Sequence, residues 1–505
     1  MADQGLLAQA KPAGTTNTVL YAAPIDSSAS AVLTVANDGT GAAYDVAIKD
    51  FDQKLVVDGS ANAYKLHTGD VISGYRFNIG TSFPLSANLT PGTLLTSTDQ
   101  EKTAKFESFY VPAFTEIDVK DVLIRQVTLE SVTGTFAVGQ TVVKGTAPNT
   151  ATCTIYAVNT DGGNNIIYVG PTVLAGTGSE IVAGDALTGS GGATGTISTG
   201  GIGTGVQEFV FSTDAGTTYN QYLGTAFTQF ADRAYRFDVS DASMSGKLFK
   251  LSLTINGEWG PDGTAGNSDD GTEYTTGKTT NGTAGSGGAY VQYDFSANTG
   301  LANNTNIYFY EGTTGTAGNS AYGGSDRYIT ISTAYTYDGF YIYDKEGTWV
   351  NSTDGFTFSG TTYTVSSQTA GPYGYVRSYS GNNLYVIKGT NSADFATSDT
   401  FQDAPKLNTA DRSTVTVSSV GVATTALEDN YLAKDIANGN NEIDKITSIV
   451  VGPGERLVVE SATQNNTFSL IGFEDASTAF TVRNYTPAAA DGSGGGGAGG
   501  GEGGG

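Results

Sequence analysis

The side chains that most often perform catalysis are scarce in this chain. Its 505 residues include a single histidine, His67, and a single cysteine, Cys153. A Ser-His-Asp or Cys-His site must therefore include His67, and one chain cannot gather several histidines or cysteines around a metal ion. His67 precedes a Gly-Asp turn, and Cys153 lies in a Thr-rich segment without basic neighbours. Both are predicted to be structural residues.

Side chains that could bind a metal ion through oxygen are far more numerous in this chain than those that could bind one through nitrogen or sulfur. The segment GPDGTAGNSDDGTEY (260–274) holds several of them: Asp262, Asn267, Asp269, Asp270 and Glu273. Such a set could bind Ca²⁺, but its spacing does not match an EF-hand loop. A solvated acidic loop is the favoured interpretation, and Ca²⁺ binding is the alternative. Among 50 Asp and Glu residues no pair stands out for glycoside hydrolysis, so no catalytic, cofactor-binding or metal-binding residue is predicted.

An aromatic stretch can be interpreted in two ways. It consists of Tyr335, Tyr337, Phe340, Tyr341 and Tyr343. Aromatic residues favour strands, so a packed or subunit-facing sheet surface is the first interpretation. Rings that stack on the sugars of a host surface are the second.

Charge and hydropathy exclude several classes of partner. The chain has 25 Lys and Arg against 50 Asp and Glu, a net charge of −25. This balance argues against a nucleic-acid partner, since phosphate binding needs clustered cations. The start, MADQGLLAQAKPAG, lacks the features of a secretory signal, and no apolar run reaches the length of a membrane span. We expect synthesis in a cytoplasm and no membrane span.

The elements that must position these residues are strands. Apolar and polar residues alternate in segments such as 32–36, 44–48 and 457–459, and Gly-rich turn signals recur between them. This pattern predicts an all-β protein. The segments 4–11 and 427–434 are the only helix candidates, and both are short.

Composition and repeats divide the chain into small modules. FAVGQTVVKGTAPNTATCTI (136–155) is echoed by IVAGDALTGSGGATGTI (181–197), which predicts a small repeat β-barrel over 126–205. The remaining boundaries separate a β-rich module, a Gly-rich acidic module, a Tyr-rich β module and a Gly-rich tail, at 54–125, 206–324, 325–424 and 487–505. The tail is predicted to be a flexible segment.

The two ends resemble the halves of a small β-sandwich found in phage virion proteins. NTVLYAAPIDSSASAVLTVANDGTGAAYDVAI (17–48) is similar to the first half, and SIVVGPGERLVVESATQNNTFSLIGFED (448–475) is similar to the second. The resemblance implies that residues 1–53 and 425–486 form one discontinuous terminal β-sandwich. The rest of the chain is then an insertion into one of its loops, which loop tips tolerate.

A second resemblance covers the module 206–324. YRFDVSDASMSGKLFKLS (235–252), DGTEYTTGKTTNGTAGSGGAYVQY (270–293) and NIYFYEG (306–312) are similar to a cupredoxin-like module of marine phage structural proteins. Those modules carry His and Cys ligands where this chain has Lys247 and Glu311. The resemblance implies a cupredoxin-like sandwich without copper, in which the two opposite charges form an ion pair.

Other segments, including 101–130 and QTAGPYGYVRSYSGNNLYVIKG (368–389), resemble structural proteins of contractile-tailed phages of marine cyanobacteria. The resemblance implies a non-enzymatic fibre, appendage or capsid decoration on the virion, docked by its terminal sandwich. Exposed sheet edges predict a homo-oligomer, with a trimer as first choice. The alternative is a tail fibre or spike that binds or degrades host glycan.

Overall fold

A computed structural model describes residues 3–59, 64, 66–84, 89–159, 165–221, 228–313, 327–402, 414–421 and 430–483. These residues form strands and three 3₁₀ helices, which confirms the all-β class. In this part of the chain no helix is long and apolar enough to cross a bilayer. The predicted tail 487–505 lies outside the described residues. The chain divides into two compact units, 1–110 with 336–505, and 111–335.

The first unit contains a sandwich built from both ends of the chain. One sheet has the order β1-β35-β3-β33, and the other has the order β2-β34-β4-β32. The strands are β1 (Asp3–Ala10), β2 (Thr18–Ala22), β3 (Ser27–Asn37), β4 (Ala42–Lys49), β32 (Tyr431–Asn438), β33 (Ile443–Val451), β34 (Arg456–Ser461) and β35 (Asn466–Ala476). This arrangement confirms the predicted discontinuous terminal sandwich.

Every ladder in this sandwich joins a strand before residue 50 to a strand after residue 430. In β3, Leu33 and Val35 face the core and meet Phe468 and Leu470. The residues of the predicted 32–36 alternation, Val32, Thr34 and Ala36, are half-buried on the other face of the strand. The helix predicted over 4–11 is wrong, because that backbone pairs with β35 instead. Residues 431–434 of the second helix candidate likewise belong to β32, and 427–429 lie outside the described residues.

Two six-stranded sheets complete the first unit. Their orders are β26-β27-β7-β25-β9-β8 and β30-β31-β5-β29-β28-β6. The strands are β5 (Gln53–Val57), β6 (Val71–Ser73), β7 (Arg76–Pro84), β8 (Leu94–Thr96), β9 (Thr103–Phe109), β25 (Thr336–Glu346), β26 (Gly355–Phe358), β27 (Thr361–Thr369), β28 (Tyr373–Ser380), β29 (Asn383–Lys388), β30 (Thr400–Gln402) and β31 (Thr414–Val420). Both sheets interleave strands from 54–125 and 325–424, so these are not two separate modules as predicted. Local alternation determines which face of a strand is buried, but it does not determine which other strand pairs with it.

The second unit contains a closed barrel. Strands β13, β12, β11, β15, β16 and β10 pair in that order, and β13 also pairs with β10. The strands are β10 (Thr115–Thr133), β11 (Thr141–Thr146), β12 (Asn149–Asn159), β13 (Asn165–Val169), β14 (Val173–Ala175), which pairs with β12, β15 (Ala186–Gly189) and β16 (Thr194–Ile202). The core is apolar and includes Cys153.

The sequence repeat corresponds to two equivalent hairpins of this barrel. Cys153 pairs with Val142 in the first, and Gly195 pairs with Leu187 in the second. Each hairpin is preceded by a glycine with φ above +80°, Gly139 or Gly184, a conformation that side chains with a Cβ rarely adopt. Both glycine N–H groups donate to the last residue of the repeat, Ile155 or Ile197.

A sandwich completes the second unit. The first half of β10 pairs with β17 and β19, and the sheet continues to β22 and β21; the facing sheet has the order β18-β24-β23-β20. The strands are β17 (Val206–Ser212), β18 (Gln229–Phe230), β19 (Ala234–Asp238), β20 (Phe249–Ser252), β21 (Lys278–Asn281), β22 (Tyr290–Asp294), β23 (Thr305–Glu311) and β24 (Tyr328–Ser332). The 3₁₀ helices are Ala242–Met244, Gly257–Trp259 and Phe295–Ala297.

The module boundaries differ from the prediction on both sides of this sandwich. The predicted boundary after residue 125 falls inside β10, because this long strand belongs to both the barrel and the sandwich. The predicted end at residue 324 precedes β24, which pairs with β23 in the sandwich. A boundary drawn from composition cannot detect a strand that two cores share.

The insertions are nested within one another. Strands β10 and β17 pair on either side of the barrel segment, β9 and β25 pair on either side of 111–335, and β4 and β32 pair on either side of 50–430. Each insertion therefore leaves and re-enters at neighbouring strands of an antiparallel pair. Such a junction replaces a hairpin loop and keeps the ladder of its host intact.

Tyr44 is expected to make the terminal sandwich sensitive to alkali. The Tyr44 side chain is buried, and its hydroxyl donates to Asp444 Oδ2 at 3.3 Å. Burial, and then the Asp444 charge, raise the pKa of Tyr44 to about 12. The unfolded chain loses this proton near pH 10, so the stabilisation is complete below pH 10. It falls by at most about 1.4 kcal/mol for each pH unit between pH 10 and 12.

Denaturant unfolding from pH 9 to 12 tests this expectation. Tyr44→Phe should reduce the alkaline loss of unfolding free energy, and Asp444→Asn should reduce it by less, because burial remains. Equal pH slopes in the wild type and in Tyr44→Phe would contradict the assignment.

Candidate functional site

The lone histidine is part of a turn. Asp70 is fully buried, and its Oδ2 accepts the backbone N–H of His67 at 2.7 Å and lies 3.7 Å from His67 Nδ1. The other oxygen, Oδ1, lies 3.4 Å from Arg483 Nη1. Asp70 therefore connects the 67–70 turn to the segment after β35.

Cys153 is enclosed in the barrel core. Its side chain is buried, and its Sγ lies 3.5 Å from Thr172 Oγ1. Burial raises the pKa of the thiol, which disfavours the thiolate that nucleophilic chemistry needs. The position suits a small apolar side chain, as predicted.

The acidic loop uses its oxygens to hold its own backbone. Asp262 accepts from the N–H of Thr264 at 2.7 Å and from Asn267 Nδ2 at 2.9 Å. Asp270 Oδ2 accepts the N–H of Asn267 at 3.0 Å, and Glu273 forms an ion pair with Lys250 at 3.5 Å. These contacts divide the candidate ligands among separate turns and an ion pair, while Asp270 Oδ1 is buried without a hydrogen-bond partner among the described residues.

A carboxylate cluster that the sequence did not predict lies on β10 and β19. Within the described ranges, Glu116, Asp118 and Asp238 each offer an oxygen within 4.8 Å of the others. Parallel pairing places Asp118 directly beside Asp238. Burial and the Asp238 charge raise the pKa of Asp118. Three carboxylates suit a hard cation, but acidic groups of this kind are also common without an ion.

The aromatic stretch is mostly core. Its buried members are Tyr337, Phe340 and Tyr343, and its half-buried members are Tyr335 and Tyr341. Tyr337 stacks on Phe109 with ring centroids 4.3 Å apart, and Phe340 meets Phe77 edge-on at 6.0 Å. The packed-sheet interpretation holds for the buried rings, because those rings are not available to stack on a sugar.

Lys247 and Glu311 both have polar partners in the second unit. Lys247 Nζ lies 3.6 Å from Asp121 Oδ2. Buried Glu311 accepts the N–H of Leu248 at 2.9 Å and the N–H of Thr313 at 3.0 Å. Glu311 thus holds the backbone beside Lys247, while Lys247 pairs with a carboxylate of β10.

The outer face of the β1-β35-β3-β33 sheet is apolar. Leu6 lies opposite Ile471, which lies opposite Val32, while Phe473 and Val450 both lie opposite Ser30. Residues opposite one another in paired strands share a face. Leu6, Val450, Ile471 and Phe473 are 50–60% exposed, and Val32 is half-buried. We call these five residues the outer apolar face.

An exposed apolar set of this kind is typical of a docking surface. The alternation of β35 explains it, since Phe468 and Leu470 face the core and the odd-numbered residues face outward. The sequence of β35 could have predicted this surface, because it carries apolar residues on both faces of the strand and only one face packs in the core.

No family model, curated protein or solved structure matches this chain. Its class therefore comes from its own architecture, which is an all-β protein of nested sandwiches and a barrel.

Proposed function

We propose that this chain is a non-enzymatic structural protein of a phage virion, forming a fibre, appendage or decoration that acts through assembly and adhesion. The outer apolar face carries the proposal. It lies on the terminal sandwich, the domain that the sequence resemblance assigns to docking on other virion proteins. An apolar face in a chain of net charge −25 favours a specific partner over loose association.

The nesting of the modules suits a protein in which one domain docks and the inserted modules extend from it. The terminal sandwich holds both β1 and β35, so all remaining modules are carried between β4 and β32. A docking domain of this kind leaves the inserted modules free to vary without disturbing its own ladders. Small β modules that pack their own cores suit a protein that works through shape and repeated copies.

Particle association tests the proposal. Particles are purified by density gradient from the lysate of a culture that produces this chain, and the chain is detected with antibody. We expect the chain to sediment with the particles. Ile471→Lys with Phe473→Asp should leave it in the soluble fractions, because charge on the outer apolar face opposes burial.

Val173→Lys is the matched control, since Val173 is a highly exposed apolar residue of β14. It should sediment like the wild type. A wild-type chain found only in the soluble fractions contradicts the proposal.

We also propose a homo-oligomer, with a trimer as first choice. Strands β1 and β33 are the edges of one terminal sheet, and β2 and β32 are the edges of the other. Paired edges between copies would satisfy backbone groups that these strands leave open. Light scattering on the purified chain should give three chain masses, and a stable monomer at micromolar concentration contradicts the proposal.

A further inference from the structure

A cavity of about 670 Å³ lies in the first unit, where the chain crosses between the two six-stranded sheets. Its wall comes from the 74–75 link between β6 and β7, the 370–372 link between β27 and β28, the end of β25, and the 391–399 segment after β29. This volume is in the range of small-molecule sites, roughly 300–1,000 Å³. The cavity is separate from the terminal sandwich and its outer apolar face.

The cation in this wall is Lys345. Its Nζ donates to the carbonyl of Gly347 at 2.8 Å and lies 5.5 Å from the centre of the Tyr75 ring. Among the described residues no carboxylate lies within ion-pair distance of it, although the chain has twice as many acidic as basic residues. Burial lowers the pKa of Lys345. A partly desolvated ammonium with unused donors is suited to an anionic ligand.

The aromatic residues of the wall are held in place. The Tyr75 hydroxyl donates to Gln368 Oε1 at 2.9 Å. The Tyr373 hydroxyl donates to the carbonyl of Thr390 at 2.6 Å and accepts the N–H of Lys345 at 3.2 Å. Tyr75 and Tyr373 therefore fix the ring and the backbone beside the ammonium before any ligand arrives, which reduces the ordering cost of binding.

The carboxylates of the wall are acceptors for hydroxyl groups. Asp394 Oδ1 pairs with Lys388 Nζ at 2.7 Å, and Asp399 Oδ2 accepts the N–H of Ala396 at 2.7 Å. Each carboxylate has a second oxygen, and Asn391 adds an amide. A ligand that matches this wall has one negative group, several hydroxyls and a ring with an apolar face.

We propose that this cavity binds an acidic monosaccharide of the hexuronate class. Its carboxylate lies on the Lys345 ammonium, its ring lies against Tyr75, and its hydroxyls donate to Asp394 and Asp399. A neutral sugar cannot form an ion pair with the Lys345 ammonium. A small inorganic anion has neither a ring to pack on Tyr75 nor hydroxyls to donate to Asp394 and Asp399. The site goes beyond the proposed structural role, and it can fail or hold independently of particle association.

Ligand-observed saturation-transfer NMR on the full chain tests the proposal, with D-galacturonate and D-glucuronate as probes. Galactose, acetate and inorganic phosphate are the comparisons. We expect transfer to a hexuronate, weaker transfer to galactose, and little displacement by acetate or phosphate. Lys345→Met should weaken hexuronate binding by roughly ten- to hundredfold, and Lys345→Arg should keep part of it.

Tyr75→Leu should also weaken hexuronate binding, while Lys445→Met, an exposed lysine of β33, should leave it unchanged. Thermal unfolding of each variant shows whether the fold is kept. Equal hexuronate affinity in a folded Lys345→Met chain overturns the proposal, as does the absence of transfer in the wild type. Binding of galactose equal to that of galacturonate also overturns it, and full displacement by phosphate reduces the cavity to a simple anion site.

Discussion

Arg327→Met is expected to destabilise the second unit by about 3–5 kcal/mol. Arg327 Nη2 lies 2.6 Å from Glu208 Oε2, and both side chains are buried. Gln221 Nε2 donates to the same Glu208 oxygen. Glu208 belongs to β17 and Arg327 precedes β24, so this pair joins the two sheets of the sandwich. The substitution takes a guanidinium away from the buried Glu208 carboxylate.

The chain offers a clean way to measure this effect. It has two tryptophans, Trp259 in the second unit and Trp349 in the first. In a Trp349→Phe background, denaturant unfolding followed by Trp259 fluorescence reports the second unit alone. The same background carries all variants of the comparison.

Two further variants separate the buried charge from a general loss of contacts. Glu208→Gln combined with Arg327→Met should recover much of the lost stability, because neither member of the pair then carries a charge. Glu180→Gln, which removes the charge of an exposed carboxylate of the second unit that pairs with Arg125, should cost about 0–1 kcal/mol. An Arg327→Met chain as stable as Glu180→Gln would contradict the role of the buried pair.

Deletion of residues 431–505 is expected to abolish the terminal sandwich. The deletion removes β32, β33, β34 and β35, which are the strands that pair with β1 to β4 among the residues that the structure describes. Core residues such as Leu33 and Val46, both fully buried, then lose the opposite halves of their sheets. Four strands without any ladder cannot satisfy their backbone groups or cover an apolar face.

Amide hydrogen exchange across 18–49 measures this outcome. The wild type should protect β3 and β4, and the deletion should reduce their protection to that of an unfolded chain. Deletion of 484–505 alone is the control, since it keeps every described strand, and it should leave protection unchanged. Persistent protection of β3 in the 431–505 deletion would mean that the N-terminal strands fold without the C-terminal ones.

Much of the candidate chemistry could be judged from the sequence. With one histidine and one cysteine, a single chain cannot form a metal site from several His or Cys residues. The structure places His67 in a turn and Cys153 in a core. The carboxylate cluster and the Lys345 cavity were not foreseen. Asp118 and Asp238 become neighbours only because β10 and β19 pair in parallel. Lys345 contacts Tyr75 although the two residues are 270 positions apart in the sequence.

The sequence by itself determined the all-β class and the repeat barrel, which rest on period-2 alternation, Gly turns and the internal echo of 136–155 in 181–197. The union of the two ends was implied by the resemblance of 17–48 and 448–475 to the halves of a phage β-sandwich. Only the tertiary structure decided that 54–125 and 325–424 share two sheets, and that β10 runs through both a barrel and a sandwich. The physical reason is that alternation specifies which face of a strand is buried, while the partner strand is selected by packing and hydrogen bonding between segments far apart in the chain.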